Sequence, residues 1–473
     1  MMRAFLLIFG LSAMFSAAAE DLLIWQKSMP ITFSGYPADG ETLTNFPALV
    51  ILSNSTAGAG FDYSDFLSPP YGDLRFAADD ETTPLDFEVE SWDTGGLSYV
   101  WVRVPELTNN TIIHAFWGKG GVAAPPCTTN GAVWTNGFAG VWHLAETSGP
   151  AADASSNGNN GALSPSGVTR GTTGPVDGDY TFSSPNSGYL DCGLNASLSV
   201  GYASWEAWAY PTSFAGYYNI LGKGYNAAYW FGFQESTGRI RLHCGGPEHD
   251  SASAVALNRW VHVMSTWDGQ NVRHYINGMH DNTIAETAAP KLNPTKATHL
   301  GADYSDGSGS SAALTYFFPG QLDEVRLSAV PRSSDWVWAC YMNMASNSVF
   351  NSYGAPEYQG GPLVTNVSAV SETNFMTLNG YLISTGMDAN VSAAVFWGTN
   401  DAGRTSEGWT YTNRLPGVAA EGPLSVNVTP DEAGKLYYFR FCASNSFGQT
   451  WARPAFEFIW WADIRTGTVF STW

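Results

Sequence analysis

Residues 260–278 read WVHVMSTWDGQNVRHYING, and this stretch decides the fold class. Two runs of alternating apolar and polar side chains are separated by Asp268-Gly269, and Asn277-Gly278 follows the second run. Such dipeptides favour tight antiparallel turns, because they accept the left-handed backbone that a two-residue hairpin loop requires. The stretch therefore predicts two consecutive hairpins at the edge of a sheet, with alternate side chains on opposite faces.

Short alternating runs of this kind continue along the chain, for example at 99–104, 205–210 and 436–443. Runs at regular spacing with Gly, Asn, Asp and Pro between them are typical of β-sandwiches and jelly rolls. Helical periodicity is almost absent, and only 63–67 and 334–345 are expected to form short helices. The sequence therefore predicts an all-β protein.

Composition excludes two broad classes. The 473 residues include 21 Lys+Arg against 42 Asp+Glu, which gives a net charge of −21. A nucleic-acid-binding protein needs basic footprints that this balance does not provide. The 19 Trp, 22 Tyr and 26 Phe residues argue against disorder, which needs few aromatic side chains. At ~150 residues per domain, the length predicts two to four domains.

Residues 1–19 predict a signal peptide. They combine Arg3 with an apolar run at 5–15 and small residues at 16–19, ahead of an expected cleavage point. The run is shorter than the ~20 apolar residues that span a membrane, so we expect no membrane span. The predicted location is extracellular or at the cell surface, with the periplasm as an alternative.

Two stretches rich in Gly and Pro, at 118–126 and 354–362, divide the rest of the chain. Without a repeat period, the sections between them are expected to be unlike modules in series. The predicted boundaries are 20–120, 130–353 and 362–460, followed by an unassigned tail at 461–473.

The middle section carries an ordered series of short motifs. They are VWHL at 141–144, DASSNGNNG at 153–161, WEAW at 205–208, LGKG at 221–224, WVHV at 260–263, WDG at 267–269, YING at 275–278 and GQLDEVRL at 320–327. In this order, over about 138–345, they resemble the laminin G-like, concanavalin A-like jelly roll of bacterial extracellular proteins. The resemblance implies a two-sheet jelly roll that recognises carbohydrate or another surface molecule without catalysis.

The flanking sections have weaker resemblances. The first, with FPALV at 46–50, GDLRF at 72–76, PLDFEVESW at 84–92 and VWVRVP at 100–105, resembles a bacterial extracellular domain of unknown function that often precedes such a jelly roll. The third, with FWG at 396–398 and LYYFRFCASN at 436–445, is similar to a fibronectin type III-like or Ig-like sandwich.

Aromatic residues are the candidate ligand-binding groups. Tyr217, Tyr225 and Tyr229 lie in a Gly-interrupted stretch expected to form loops, where binding residues concentrate on a rigid scaffold. Their ring faces suit stacking on sugars, although most aromatic residues of a β-sandwich belong to its core. The expected partner is carbohydrate or an extracellular protein.

The loop at 153–161 is the candidate metal site. Asp153, Asn157 and Asn160 offer the oxygen ligands that Ca²⁺ prefers. Jelly rolls of the family it resembles sometimes bind calcium near one rim. The same residue types also form turns by bonding to their own backbone, so both interpretations stay open.

Carboxylates supply no catalytic pair that the sequence identifies, and we predict a non-catalytic protein. Glu88 and Glu90 alternate with apolar residues and are expected on the solvent face of a strand. Asp323-Glu324 is interpreted as structural, paired with Arg326 or a loop amide, with a metal ligand or acid pair as the alternative. A glycoside hydrolase or lyase and a structural or adhesive spacer remain the alternative functions.

The five cysteines contain no C-x-x-C pair, which argues against a zinc ribbon or redox motif. An odd number in an exported chain leaves at least one unpaired within the chain. Cys127 and Cys340 flank the jelly roll, and we hypothesise that a disulfide between them staples its ends.

Overall fold

The computed structural model describes most of the chain between Leu22 and residue 461. The described residues are Leu22, 25–54, 61–304, 313–358, 360–372, 374–386, 388, 390–417 and 420–461. About 45% of the described residues are in strands and 8% in helices, which confirms the all-β prediction. The predicted signal peptide and the tail beyond 461 lie outside these residues. Within the described part, no helix is both long and apolar enough to cross a membrane.

The first section is a two-sheet sandwich. Its strands are β1 (Lys27–Thr32), β2 (Leu43–Leu52), β3 (Arg75–Ala78), β4 (Phe87–Ser91), β5 (Ser98–Leu107) and β6 (Ile112–Trp117). One sheet has the order β1-β6-β3 and the other β2-β5-β4. The predicted helix at 63–67 is a single 3₁₀ turn at Tyr63–Asp65.

The middle section is a jelly roll of two large sheets. Its strands are β7 (Phe138–Trp142), β8 (Ala162–Leu163), β9 (Val168–Thr173), β10 (Gly178–Phe182), β11 (Leu190–Asp191), β12 (Ala203–Pro211), β13 (Tyr218–Gly222), β14 (Trp230–Phe233), β15 (Arg239–His243), β16 (His249–Ala254), β17 (Val261–Trp267), β18 (Asn271–Ile276), β19 (Met279–Ala285), β20 (His299–Leu300), β21 (Asp303–Tyr304), β22 (Leu314–Thr315) and β23 (Gly320–Ser328). The eight-stranded sheet runs β19-β18-β17-β12-β23-β10-β9, with β7 also on β23. The seven-stranded sheet runs β16-β15-β14-β13-β20-β11-β8, and their inner faces enclose one core.

The stretch at 260–278 forms the predicted hairpins. Strands β17, β18 and β19 are consecutive neighbours, and β19 is the sheet edge. Asn277 and Gly278 have φ of +51° and +74°, the left-handed backbone that the Asn-Gly turn requires. Val263 faces the core, whereas Tyr275 faces away from it and packs with Val337. The outer face of this edge is therefore covered by protein.

The covering element is α1 (Ser334–Ala345), the second helix that the sequence predicts. With α2 (Asn347–Phe350) it lies against β2, where Asn343 exchanges two hydrogen bonds with the backbone of Leu49. The next strands, β24 (Ser352–Tyr353) and β25 (Glu357–Tyr358), pair with β1. Part of the stretch interpreted as a second hinge is therefore built into the first section's sheet.

The third section is another two-sheet sandwich. Its strands are β26 (Leu363–Ser371), β27 (Met376–Ser384), β28 (Ser392–Gly398), β29 (Tyr411–Leu415), β30 (Gly422–Val428), β31 (Leu436–Asn445), β32 (Gly448–Trp451) and β33 (Phe456–Ile459). One sheet has the order β26-β27-β30 and the other β29-β28-β31-β32, with β33 also on β31. Its core is separate from the other two.

Candidate functional site

An aromatic pocket opens on the outer face of the seven-stranded sheet. It encloses about 230 Å³. Four aromatic rings and two charged side chains line it: Tyr217, Tyr225, Trp230, Tyr316, Arg241 and Glu248. These six residues are called the aromatic pocket below.

Strand alternation places this pocket away from the core. On β14, Phe231 and Phe233 belong to the core between the sheets, so Trp230 takes the opposite face. On β15, Arg241 lies opposite Gly232 and shares that outer face.

The rings meet edge to face and form walls. The centroids of Trp230 and Tyr316 are 6.2 Å apart at 86°, and those of Tyr217 and Tyr316 are 6.4 Å apart at 89°. Tyr225 stacks on His243 with centroids 4.4 Å apart. Burial lowers the pKa of His243 to about 4, so this ring is neutral at neutral pH. The walls are therefore fixed by ring contacts.

The charged groups of the pocket are held in place as well. Arg241 donates two hydrogen bonds to Asp250, at 2.7 and 2.9 Å, and its guanidinium lies 5.2 Å from the ring centre of Tyr217. The charge of Arg241 is thus matched by Asp250, and Glu248 adds a negative charge to the lining. The electrostatics favour a neutral ligand over an anionic one.

Two buried polar side chains near Gly222 each have at least one atom without a hydrogen-bond partner among the described residues. Asn219 is fully buried, and its amide nitrogen and oxygen have no hydrogen-bond partner among the described residues. Asp303 is also fully buried, and burial raises the pKa of its carboxyl to about 7. A Cβ placed on Gly222, the strand partner of Trp230, would lie 2.7 Å from Asn219 Nδ2 and 2.9 Å from Asp303 Cγ. Asp303 Oδ1 accepts from the Gly224 N–H at 2.8 Å, whereas its Oδ2 lacks a partner, and a buried polar atom without a partner is costly.

The structure brings together two of the three tyrosines that the sequence singles out. Tyr217 and Tyr225 line the aromatic pocket. Tyr229 does not: it is fully buried in the jelly-roll core, where its ring contacts Trp205 and its hydroxyl donates to the Leu198 carbonyl at 3.1 Å. The expectation that Tyr229 binds ligand is corrected, because its ring has no exposed face.

Sequence reasoning missed the other pocket residues. Trp230 lies in the same aromatic stretch. It is one position from Phe231 and three from Phe233, so strand alternation places it on the opposite face of the sheet from these two residues. Tyr316 arrives from a distant loop, and no local pattern connects it with Trp230. Arg241 carried no signal beyond its place in an alternating strand.

The residues proposed for calcium form a closed turn. Asp153 accepts hydrogen bonds from three backbone N–H groups, those of Val141, Ser155 and Asn159, at 2.8–2.9 Å. The Asn160 side-chain oxygen accepts from the Asp153 backbone at 2.8 Å, and Asn157 donates to backbone carbonyls of β7. The side-chain oxygens of Asp153 and Asn160 thus accept from nearby backbone N–H groups, which is the bonding that the turn interpretation predicts.

The predicted Cys127–Cys340 disulfide is not formed. All five cysteines are free thiols in the structure. Both residues belong to the hydrophobic cluster of the first section, where Cys340 is buried on α1 and Cys127 is half-buried. Burial raises the pKa of both thiols, which lowers their reactivity.

A second site lies where the first section meets the jelly roll. Glu90 on β4, His143 after β7 and Glu324 on β23 place one ligand atom each within 4.8 Å of one another. His143 Nδ1 lies 2.6 Å from Glu324 Oε1 and 3.5 Å from Glu90 Oε2, while His143 Nε2 lies 3.8 Å from Glu88 Oε1. Glu90, His143 and Glu324 are called the acid–histidine cluster below.

This arrangement corrects the expectation for Glu88 and Glu90 and supports the structural interpretation of Asp323-Glu324. Glu88 and Glu90 do not face solvent: they face the docked jelly roll, and the side chain of Glu90 is only 2% exposed. Glu324 is paired with Arg326 at 3.0 Å, and Asp323 accepts from the Val176 amide at 3.0 Å, as the structural interpretation of Asp323-Glu324 expects.

Burial and mutual attraction set the protonation of the cluster. Burial raises the pKa of Glu90 to about 8. Burial alone would lower the pKa of His143, but Glu324 and Glu90 outweigh it and raise that pKa well above the usual value. Burial would raise the pKa of Glu324, yet His143 and Arg326 lower it. His143 is therefore an imidazolium and Glu324 a carboxylate at neutral pH.

Two parts of the chain match known families. Residues 184–337 match the concanavalin A-like lectin/glucanases superfamily (Laminin_G_3), and residues 70–132 match a domain of unknown function (DUF2341). No curated protein sequence matches the chain. The predicted resemblances of the first two sections are confirmed, whereas the match of the third section to a fibronectin type III-like domain stays a prediction.

Solved structures with a similar fold have low sequence identity. Domain 4 of AbnA, a GH43 extracellular arabinanase from Geobacillus stearothermophilus, in complex with arabinotriose, is 14% identical at a TM-score of 0.34, covering 44% of this chain and 98% of that chain. The Ruminococcus gnavus IT-sialidase CBM40 bound to alpha2,3 sialyllactose is 14% identical at 0.26, covering 30% and 84%. A SAP-like pentraxin from Limulus polyphemus is 16% identical at 0.24, covering 30% and 70%. At these values the similarity concerns the fold alone. One segment of the chain, 184–337, thus matches the concanavalin A-like superfamily, and the segment 70–132 ahead of it matches a domain of unknown function.

Proposed function

We propose that the chain is an exported, non-catalytic protein that binds neutral carbohydrate through the aromatic pocket. The observation that carries the proposal is the set of four aromatic rings that line one pocket together with the polar side chains of Arg241 and Glu248. Ring faces contact the apolar faces of sugars, and a few placed polar groups fix orientation, as in ligand pockets generally. The match of 184–337 to a superfamily of lectins and glucanases supports the same class of ligand.

The size and charge of the pocket limit the class of sugar that it can bind. Its volume of about 230 Å³ lies below the usual ~300–1,000 Å³ of small-molecule sites, which favours one or two sugar units at the end of a glycan. Since Asp250 matches the charge of Arg241, and Glu248 is acidic, uronic or sialic acids are disfavoured. The proposed ligand is therefore a neutral sugar at the end of a glycan.

Catalysis is not part of the proposal. A glycoside hydrolase needs two carboxyl groups on either side of the scissile bond. The clustered carboxyls Glu88, Glu90 and Glu324 lie under Trp101 and Trp134, both at most 1% exposed, instead of in a groove. The third section, with its three-stranded and five-stranded sheets, is proposed as a fibronectin type III-like spacer.

The test is a glycan array followed by calorimetry on the full chain. We expect binding of neutral glycans that Tyr217→Ala and Tyr225→Ala each weaken about three- to tenfold, the loss expected for one aromatic contact of ~0.5–1.5 kcal/mol. The matched control is Tyr202→Ala, which removes a 57% exposed tyrosine stacked on Trp267 away from the pocket. An array without any bound glycan, or equal weakening by Tyr202→Ala, would refute the proposal and favour the spacer.

A further inference from the structure

The acid–histidine cluster has the donor arrangement of a metal site. In each of three glutamates, one carboxylate oxygen is held by an N–H donor. Trp101 donates to Glu90 Oε2 at 2.7 Å, and Arg326 donates to Glu324 Oε2 at 3.0 Å. Trp134 donates to Glu88 Oε2 at 2.6 Å. Outer hydrogen bonds of this kind orient metal-ligating carboxylates and their histidine.

The other polar atoms of two of these residues are buried without a hydrogen-bond partner. Glu90 Oε1 and His143 Nε2 are buried and have no hydrogen-bond partner in the described part of the chain. The Glu90 side chain is 2% exposed and that of Glu324 is fully buried, so bulk water does not satisfy them. Asp323 Oδ1 is a third buried oxygen without a partner among the described residues.

Charge gives the same indication. Within the described residues, the carboxyl groups of Glu88, Glu90, Asp323 and Glu324 surround His143, and Arg326 is the guanidinium bonded to Glu324. Arg326 is also 3.7 Å from Glu206, which shares its charge. Four acid groups therefore share this space with two basic groups, and either protons or a bound cation can compensate the acids.

We propose that the acid–histidine cluster binds a divalent transition-metal ion, with Zn²⁺ the best fit. One imidazole nitrogen and two carboxylate oxygens are ligands that Zn²⁺ accepts at three positions. His143 Nδ1 faces both Glu324 and Glu90, so the ion replaces the proton between the imidazole and the carboxylates. His143 Nε2 faces Glu88, the outer carboxylate that orients a metal-bound histidine.

The position of the ligands defines what the ion does. Glu90 belongs to the first section, whereas His143 and Glu324 belong to the jelly roll, so the ion clamps two sections together. Because the ligands are buried, the ion is acquired as these sections dock. This role is structural and independent of sugar binding in the aromatic pocket.

The test uses the full chain produced in medium supplemented with Co²⁺. We expect one equivalent of bound metal by elemental analysis, the visible absorption of Co²⁺ bound to nitrogen and oxygen ligands, and bleaching by added Zn²⁺. His143→Gln and Glu90→Gln should each remove the metal and the absorption. Folded wild type without stoichiometric metal would overturn the proposal and leave the cluster compensated by protons alone.

The matched control is His249→Gln. His249 and Glu286 form another buried pair, 2.9 Å apart with side chains 5% and 8% exposed, but no second carboxylate joins them in a metal-sized group among the described residues. This variant should keep the metal and its absorption. If it loses the metal while His143→Gln retains it, the proposed ligands are wrong. Because wild type alone gives a positive or negative result, a variant that fails to fold does not prevent the test.

Discussion

Replacing Arg326 by methionine should strongly destabilise the docked first and second sections. Arg326 is 1% exposed, bonds to Glu324 at 3.0 Å and lies 3.7 Å from Glu206. Its guanidinium is also 4.6 Å and 5.0 Å from the ring centres of Trp101 and Trp134. Methionine keeps the apolar stem but removes the guanidinium that pairs with two buried carboxylates, a loss of ~3–5 kcal/mol in free energy of unfolding.

Urea denaturation followed by tryptophan fluorescence measures this loss as a shift of the midpoint at unchanged slope. The matched control is Arg273→Met, because Arg273 pairs with Asp268 at a site where the two side chains are 31% and 27% exposed. That change should cost at most ~1 kcal/mol. Adding Glu324→Gln to Arg326→Met should recover part of the loss, because it removes the buried carboxylate to which Arg326 donates in the wild type. A loss below about 1 kcal/mol for Arg326→Met would show that the buried ion pairs do not stabilise this interface, and the reasoning would fail.

Three further predictions concern the jelly roll. Tyr229→Ala should lower the free energy of unfolding by ~3–5 kcal/mol in urea denaturation, because it empties a core site; a loss below ~1 kcal/mol would contradict the core assignment. Burial lowers the pKa of His274 to about 4, so the unfolded chain binds a proton that the folded chain does not. Stability should therefore fall as pH drops from about 6.5 to about 4, and His274→Gln should flatten that slope in pH-dependent melting; an unchanged slope would refute the assignment. Gly278→Ala should lower the melting temperature more than Gly149→Ala. Both glycines have a left-handed backbone, with φ of +74° and +76°, but an added Cβ would lie 2.8 Å from Tyr341 Cβ at position 278 and would meet open space at position 149. Equal effects would mean that the Tyr341 contact costs nothing.

Local patterns were enough to predict the strands and turns. The alternation at 260–278 and its two turn dipeptides specify β17 to β19, because register and turn type are encoded within a few residues. The same rule applied to Trp230 and Phe231 would have separated the pocket face from the core. Tyr229 was misjudged because Gly residues nearby suggested an exposed loop, whereas its ring enters the core.

Contacts between sections could not be predicted in the same way. Alternation correctly placed Glu88 and Glu90 opposite the Phe87 face of β4, but it does not say what covers the other face. That face is covered by His143 and Glu324, which come from the following section of the chain. The pairing of Glu88 with Trp134 likewise depends on docking and leaves no mark on either local pattern.

Several of the chain's few charged residues are buried between the first section and the jelly roll, and their bonds fix how the two sections align. An apolar interface between two sandwiches would tolerate sliding, because dispersion contacts are not directional. Hydrogen-bonded charges instead require one alignment: Glu90 must reach His143 while Arg326 reaches Glu324. Helix α1 and strands β24 and β25 then return from the jelly roll to the first section. The first two sections therefore form one folded unit, and the aromatic pocket is carried on a scaffold that both sections stabilise.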